Sequence, residues 1–143
     1  MTDGMSAVAP ATSEAVRFLV FFPRGSSESS VAEGLVAVQT ATTRTVDLVD
    51  SLAWYESRFA SCGDWDSWAL EAVTGKSYRS RQPYFHGFVL TGDGEVGQGT
   101  AKVASLALSM GKSVYWLNGT KLCPVVKMDR HPHRWRINTG ESA

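Results

Sequence analysis

One stretch restricts the fold more than any other. Tyr84–Leu90 (YFHGFVL) is an aromatic, apolar run, and Gly92, Gly94 and Gly97 follow it as GxGxxG. Ala101–Met110 is then apolar nearly all round, and Gly111 leads into a second apolar run, Ser113–Leu117 (SVYWL). Short continuous apolar runs bounded by turn formers are the pattern of strands buried on both faces, which parallel sheets require. Lys102, Ser105 and Ser109 share one narrow face of the intervening segment, so a mostly buried helix is expected there, with Gly111 as the residue that ends it. Strand, glycine-rich turn, helix and strand in this order form one unit of an α/β domain.

The rest of the chain repeats that alternation. Arg17–Phe22 (RFLVFF) reads as a first buried strand, PRGSSESS as a loop rich in capping hydroxyls, and Val31–Gln39 as a helix with Val31, Leu35 and Val38 on one side. Arg44–Val49 (RTVDLV) predicts a second strand ending at Asp50 and Ser51. Ser51–Ala60 and Asp64–Val73 predict two short helical pieces with Asp64 as an N-cap, and Gly75–Pro83 a polar, basic loop. Leu122–Met128 and Trp135–Ile137 add short strands, with Pro124 arguing for an edge position. The expected architecture is a single Rossmann-like α/β domain over 16–128. It has a mainly parallel sheet of about four to five strands flanked by helices. A flexible arm over 1–15 and a basic tail over 129–143 complete the chain.

Composition closes several alternatives. At 143 residues the chain is long enough to bury a core without disulfides or a metal. Lys+Arg and Asp+Glu both number 14, so no overall field argues for nucleic acid or an anionic membrane. Cys62 and Cys123 are far apart and belong to no CxxC pair, which fits free thiols in a reducing, cytoplasmic compartment. Residues 1–15 lack the basic start and apolar core of a signal peptide, and no run approaches the ~18 apolar residues of a membrane span. His131 and His133 lack a nearby Cys or carboxylate cluster, so no metal is expected, and no cofactor either. Homo-oligomerisation is left open.

The glycine turn is the foremost candidate for ligand contact. Gly92, Gly94, Gly97, Gln98, Gly99 and Thr100 allow close backbone approach and open a helix whose free N–H groups attract an anion. A dinucleotide fingerprint would also place an acidic residue ~20 positions onward and would occupy the first strand–helix unit. The next strand ends instead at Asn118, so a standard NAD or FAD site is not expected, and a turn needing glycine for geometry alone is the plainer alternative. In the first loop, Arg24, Gly25, Ser26 and Ser27 combine a guanidinium, a flexible glycine and hydroxyls suited to a phosphate, or form an ordinary capped loop. Asp50 is either a sugar-hydroxyl acceptor or a helix cap.

Gly99-Thr100, the small-residue helix Ala101–Met110, the turn Gly111-Lys112 and the final apolar strand resemble the late unit of the nucleoside 2-deoxyribosyltransferase-like and LOG (SLOG)-type families. The resemblance covers Tyr84–Asn118. It implies a nucleotide, nucleoside or related phosphorylated metabolite as ligand, and N-glycosidic transfer or hydrolysis as the chemistry. Those families carry a glutamate three residues after the threonine, whereas this chain has Val103. A catalytic role would then fall to Asp93 or Glu95, since a carboxylate near a ribose can act as nucleophile or stabilise an oxocarbenium-like centre. Solvated turn residues are the alternative for both, and a non-catalytic interaction protein is the alternative for the whole chain.

Overall fold

The computed structural model describes residues 16–23, 25–42, 46–54, 65–74 and 85–140, without the side chains of 65–68 and 71. The arm 1–15, Arg24, residues 55–64 with Cys62, the loop Gly75–Pro83, and the side chains of Trp65 and Trp68 lie outside that set.

Two strands with side chains buried on both faces make the centre of the sheet. In β1 (Arg17–Phe21), Leu19 and Phe21 enter one hydrophobic cluster while Phe18 and Val20 enter another. In β3 (Gly87–Leu90), Phe88 and Leu90 join the first cluster and Val89 the second. The parallel register sets Leu19 beside Phe88, Val20 beside Val89 and Phe21 beside Leu90, so each face carries a ladder of large apolar groups. Full burial of each such side chain contributes about 1.5–3 kcal/mol. At Gly87, opposite Phe18, a Cβ would stand 2.7 Å from Phe18 Cε1, so the ring occupies the space that the missing side chain leaves.

β2 (Asp47–Asp50) pairs with β1, and β5 (Ser113–Asn118) pairs with β3, both parallel. β6 (Lys121–Pro124) closes the sheet antiparallel to β5, giving the order β2-β1-β3-β5-β6. Pro124, which lacks an N–H, therefore sits on an edge strand, where a missing donor is tolerated.

The helices cover both faces. α1 (Glu28–Ala41) lies over the second cluster through Val38 and the half-buried Leu35. α2 (Trp65–Thr74) and α3 (Gln98–Ser109) pack against each other over the first cluster. Val103, Ala104 and Ala107 of α3 are fully buried, and Ser105 and Ser109 are exposed, matching the narrow polar face expected. α3 ends where Gly111 N–H donates to Leu108 O (3.1 Å) and Lys112 N–H to Ala107 O (2.9 Å). These are the paired bonds of a Schellman cap. The molecule is thus mixed α/β with a mainly parallel five-stranded sheet flanked by helices.

A second sheet departs from the expectation. β4 (Glu95–Val96) emerges from within the glycine-rich segment and pairs with β8 (Arg134–Asn138), which pairs with β7 (Lys127–His131) in a wholly antiparallel sheet. Of the segment expected as a basic tail over 129–143, residues 129–138 belong to a folded hairpin, whose second strand contains the short strand expected at Trp135–Ile137. Its reason is the alternation of Met128 and Ile137, paired across the strands and buried with Val96 in the first cluster beside α3. The charged residues between them mask that period in the sequence.

Candidate functional site

The strand order makes a crevice. From β1 the chain moves outward to β2, then returns past β1 to β3, so the ends of β1 and β3 are adjacent while their connections leave in different directions. In open α/β sheets such a switch point is where ligands bind. Here the two ends are tied together: Thr91 donates its backbone N–H (3.1 Å) and its Oγ1 hydroxyl (2.7 Å) to Phe21 O. A Cβ added to Gly92 would meet Pro23 Cγ at 3.6 Å, so the turn after β3 lies against the loop after β1.

Gly25, Ser26 and Ser27 shape that first loop. Ser26 donates both its N–H (3.1 Å) and its hydroxyl (2.7 Å) to Pro23 O, and Gly25 adopts φ 87°. Ser27 caps α1: its Oγ accepts from Ser30 N–H at 3.1 Å and lies within hydrogen-bond range of the Ser29 and Ser30 hydroxyls. The serines expected to grip a phosphate are thus engaged in holding the loop and the helix start.

A groove of about 350 Å³ opens beside the loop, between α1 and the end of β2. Val31, Leu35, Leu52 and Ala53 provide apolar walls, and Ser26, Glu28 and Asp50 the polar rim. Asp50 is half-buried, and its Oδ1 accepts from Leu52 N–H at 2.9 Å, capping the helical residues 51–54. The carboxylate that caps this turn also borders the groove. Asp47 lies at the other end of β2, paired with Arg17 at 3.2 Å.

The glycine-rich turn is more constrained than GxGxxG suggests. Gly92 (φ 116°) and Gly94 (φ 102°) take left-handed backbone conformations that other residues resist. Asp93 Oδ1 accepts from Glu95 N–H at 3.2 Å, and Gly94 O accepts from Ile137 N–H at 2.8 Å. Trp116, in register with Leu90, donates its indole N–H to Gly92 O at 3.3 Å, and its ring lies 3.6 Å from where a Gly94 Cβ would stand. Sequence reasoning treats Trp116 only as part of a strand. The available signal is its register: a large residue beside the last residue of β3 lies against whatever turn follows. Gly97 is the N-cap of α3, with no side-chain capping bond and no acidic residue in the first turn. Gln98 is exposed, Thr100 half-buried and Gly99 buried in the start of that helix.

The carboxylates proposed for catalysis do not line the groove: they follow β3, and β1 stands between β3 and β2 in the sheet. Glu95 is in β4, with Oε2 3.7 Å from Arg136 Nη2, while Asp93 bonds within the turn. Val103 is fully buried in the first core cluster. Trp54 stacks edge-on to Phe85 at 5.3 Å as a core residue, and exposed His86 accepts from Arg17 N–H through Nδ1 at 3.1 Å. Lys112 donates to Phe85 O at 2.9 Å, and partial burial pulls its ammonium below the usual lysine range. It adjoins the start of β5 and so lies at the end of the sheet away from the crevice.

Among the described residues no three His, Cys, Asp or Glu side chains gather into a set that could hold a metal ion, and no helix is long and apolar enough to cross a membrane. Compared with protein-family models, curated proteins and solved structures, the chain has no significant match.

Proposed function

We propose that this chain is a Rossmann-like protein that binds a nucleotide, nucleoside or related phosphorylated metabolite at the carboxyl edge of its parallel sheet. The observation that carries the reading is the groove between α1 and β2, which joins an apolar wall to a carboxylate, a second acid and a hydroxyl. Apolar walls with few, fixed polar groups suit a base and its sugar. Asp50 at the end of β2 is positioned to accept from sugar hydroxyls, as acidic residues at that position do in dinucleotide-binding folds. A binding role has more support than N-glycosidic catalysis, because Asp93 and Glu95 are already bonded within the turn and to Arg136.

The test is a thermal-shift and calorimetry screen of the full chain against nucleosides, nucleotides and nucleotide sugars. A ligand present at 100 times its Kd stabilises the folded state by about 2.7 kcal/mol, a shift readily seen in Tm. Asp50→Asn weakens the response while leaving the protein folded. No shift with any member of these classes at millimolar concentration removes the proposal.

A further inference from the structure

The β7–β8 hairpin holds a concentration of positive charge that the neutral whole conceals. Residues 127–138 contain Lys127, Arg130, Arg134 and Arg136 against the single carboxylate of Asp129, a net charge of +3 in a chain whose total is 0. The charges are fixed rather than trailing, because Met128 and Ile137 anchor the hairpin in the core. Lys127, Asp129 and His131 alternate with Met128, and Arg134, Arg136 and Asn138 alternate with Ile137. Cross-strand partners share a face, so these residues form the outer surface of the ribbon.

Their partners show which charges are compensated. Lys127 lies 3.5 Å from Asp129, and Arg136 lies 3.7 Å from Glu95. Arg130 instead rests over the Trp135 ring at 5.7 Å, and Arg134 donates to the backbone oxygen of Glu95 at 3.1 Å. An indole face and a peptide carbonyl orient a guanidinium without neutralising it. Both arginines are exposed in the last two residue pairs before the turn, beside His131 and His133: Arg134 lies on the outer face and Arg130, with Trp135, on the face of Met128 and Ile137, so the two flank the tip.

We propose that the tip of the β7–β8 hairpin is a docking surface for the phosphate backbone of double-stranded nucleic acid, with Arg130 and Arg134 as its principal contacts. Beyond the pairing of β4 with Trp135 and Arg136 the tip is a two-stranded ribbon, a shape the major groove of a duplex admits. An ordered array of guanidinium groups gains affinity by releasing the counterions condensed on the backbone. Single-strand binders add aromatic platforms for unstacked bases, but Trp135 is half-buried with Arg130 over its ring. The duplex is therefore the better fit. This surface is argued independently of the groove beside Asp50.

The experiment is fluorescence anisotropy of the full chain with a mixed-sequence DNA duplex of about 20 base pairs, over a series of salt concentrations. Expected is weak binding, with Kd on the order of 10⁻⁴–10⁻⁶ M near physiological salt, strengthening as salt falls. The Arg130→Gln/Arg134→Gln pair, with its circular dichroism spectrum and Tm retained, lowers the slope of log K against log salt by about two and weakens low-salt binding at least tenfold. Asp129→Asn, which removes the hairpin's carboxylate, tightens binding and supplies an independent readout if the arginine pair folds poorly. Unchanged affinity and slope in the arginine pair overturns the proposal, as does unchanged or weaker binding by Asp129→Asn. Equal or tighter binding of single-stranded DNA, polyglutamate or phosphatidylserine vesicles also overturns it, by assigning the surface to another occupant.

Discussion

The crevice at the end of the parallel sheet and the face of the C-terminal hairpin are built from opposite materials. At the crevice, shape comes from backbone: left-handed Gly92 and Gly94, a peptide carbonyl shared with Thr91, and apolar walls along α1. On the hairpin, the backbone is a regular ladder and the distinguishing chemistry is charge, mounted on Lys127, Arg130, Arg134 and Arg136. The first kind of site selects by fit and tolerates little change in its supports. The second selects by field, is sensitive to salt, and tolerates substitution as long as charge persists. The hairpin and the glycine turn stand on the first buried cluster, which holds Val96, Val103 and Ile137, while the α1 wall stands on the second.

That contrast can be broken first at the shared core. Val103→Glu buries an unpaired carboxylate at a site with no solvent exposure. It is expected to cost about 4 kcal/mol or more in urea unfolding. A loss below about 1 kcal/mol would show that this position faces the crevice rather than the core.

Trp116→Ala comes next. It removes the ring packed beside Gly94 and the indole donor to Gly92, and a half-buried tryptophan should cost about 2–3 kcal/mol by denaturation. Ligand-induced shifts in Tm should fall with it, while the salt slope for duplex binding stays. Loss of both activities together would mean that the two regions are not separable.

A smaller effect is expected from Asp50→Asn. Asparagine can still accept from Leu52 N–H, so stability should change by no more than about 1 kcal/mol, whereas affinity for a sugar-bearing ligand should drop about tenfold through loss of the charged acceptor. Calorimetry and Tm measured together separate the two, and an equal loss in each would reduce Asp50 to a cap.

The smallest change concerns pH. The bond from Asn138, at 2.8 Å, and then Lys127 hold the Asp129 carboxyl below its usual range. A depressed folded-state value means that the contribution is present above the unfolded-state value and is lost as pH falls through the folded one. Amide exchange in β7 and β8 should therefore accelerate slightly as pH drops below the ordinary carboxylate range, once corrected for intrinsic rates, and Asp129→Asn should flatten that dependence.

How much of this was legible in the sequence depended on whether a residue's neighbours in space were also its neighbours in pattern. The runs FLVF and GFVL announce buried parallel strands because no polar residue interrupts them, and α3 announces itself by its narrow polar face. Trp135–Ile137 was legible as a short strand, but its pairing with β7 was not, because the inward residues Met128 and Ile137 are outnumbered by charges. β4 was hidden because two residues carry no period at all, and its existence depends on pairing with a strand far along the chain. Gly92 and Gly94 were legible as turn formers, but their support by Trp116 was not, since it arises from the register of β5 on β3. Asp50 could be placed at the end of β2, yet whether it bordered a cavity depended on where α1 crossed.

The hydrogen bond from Ile137 to Gly94 also has a consequence in time. A ribosome that has released β1, α1, β3 and α3 has delivered the crevice's sequence without its finished geometry, because the turn gains its last backbone partner only when β8 arrives. Contacts between distant segments form late, after the loop between them has been closed. The crevice should therefore be among the last features of the molecule to mature, and a nick in the segment joining β5 to β8 should relax the glycine turn while the parallel strands remain paired.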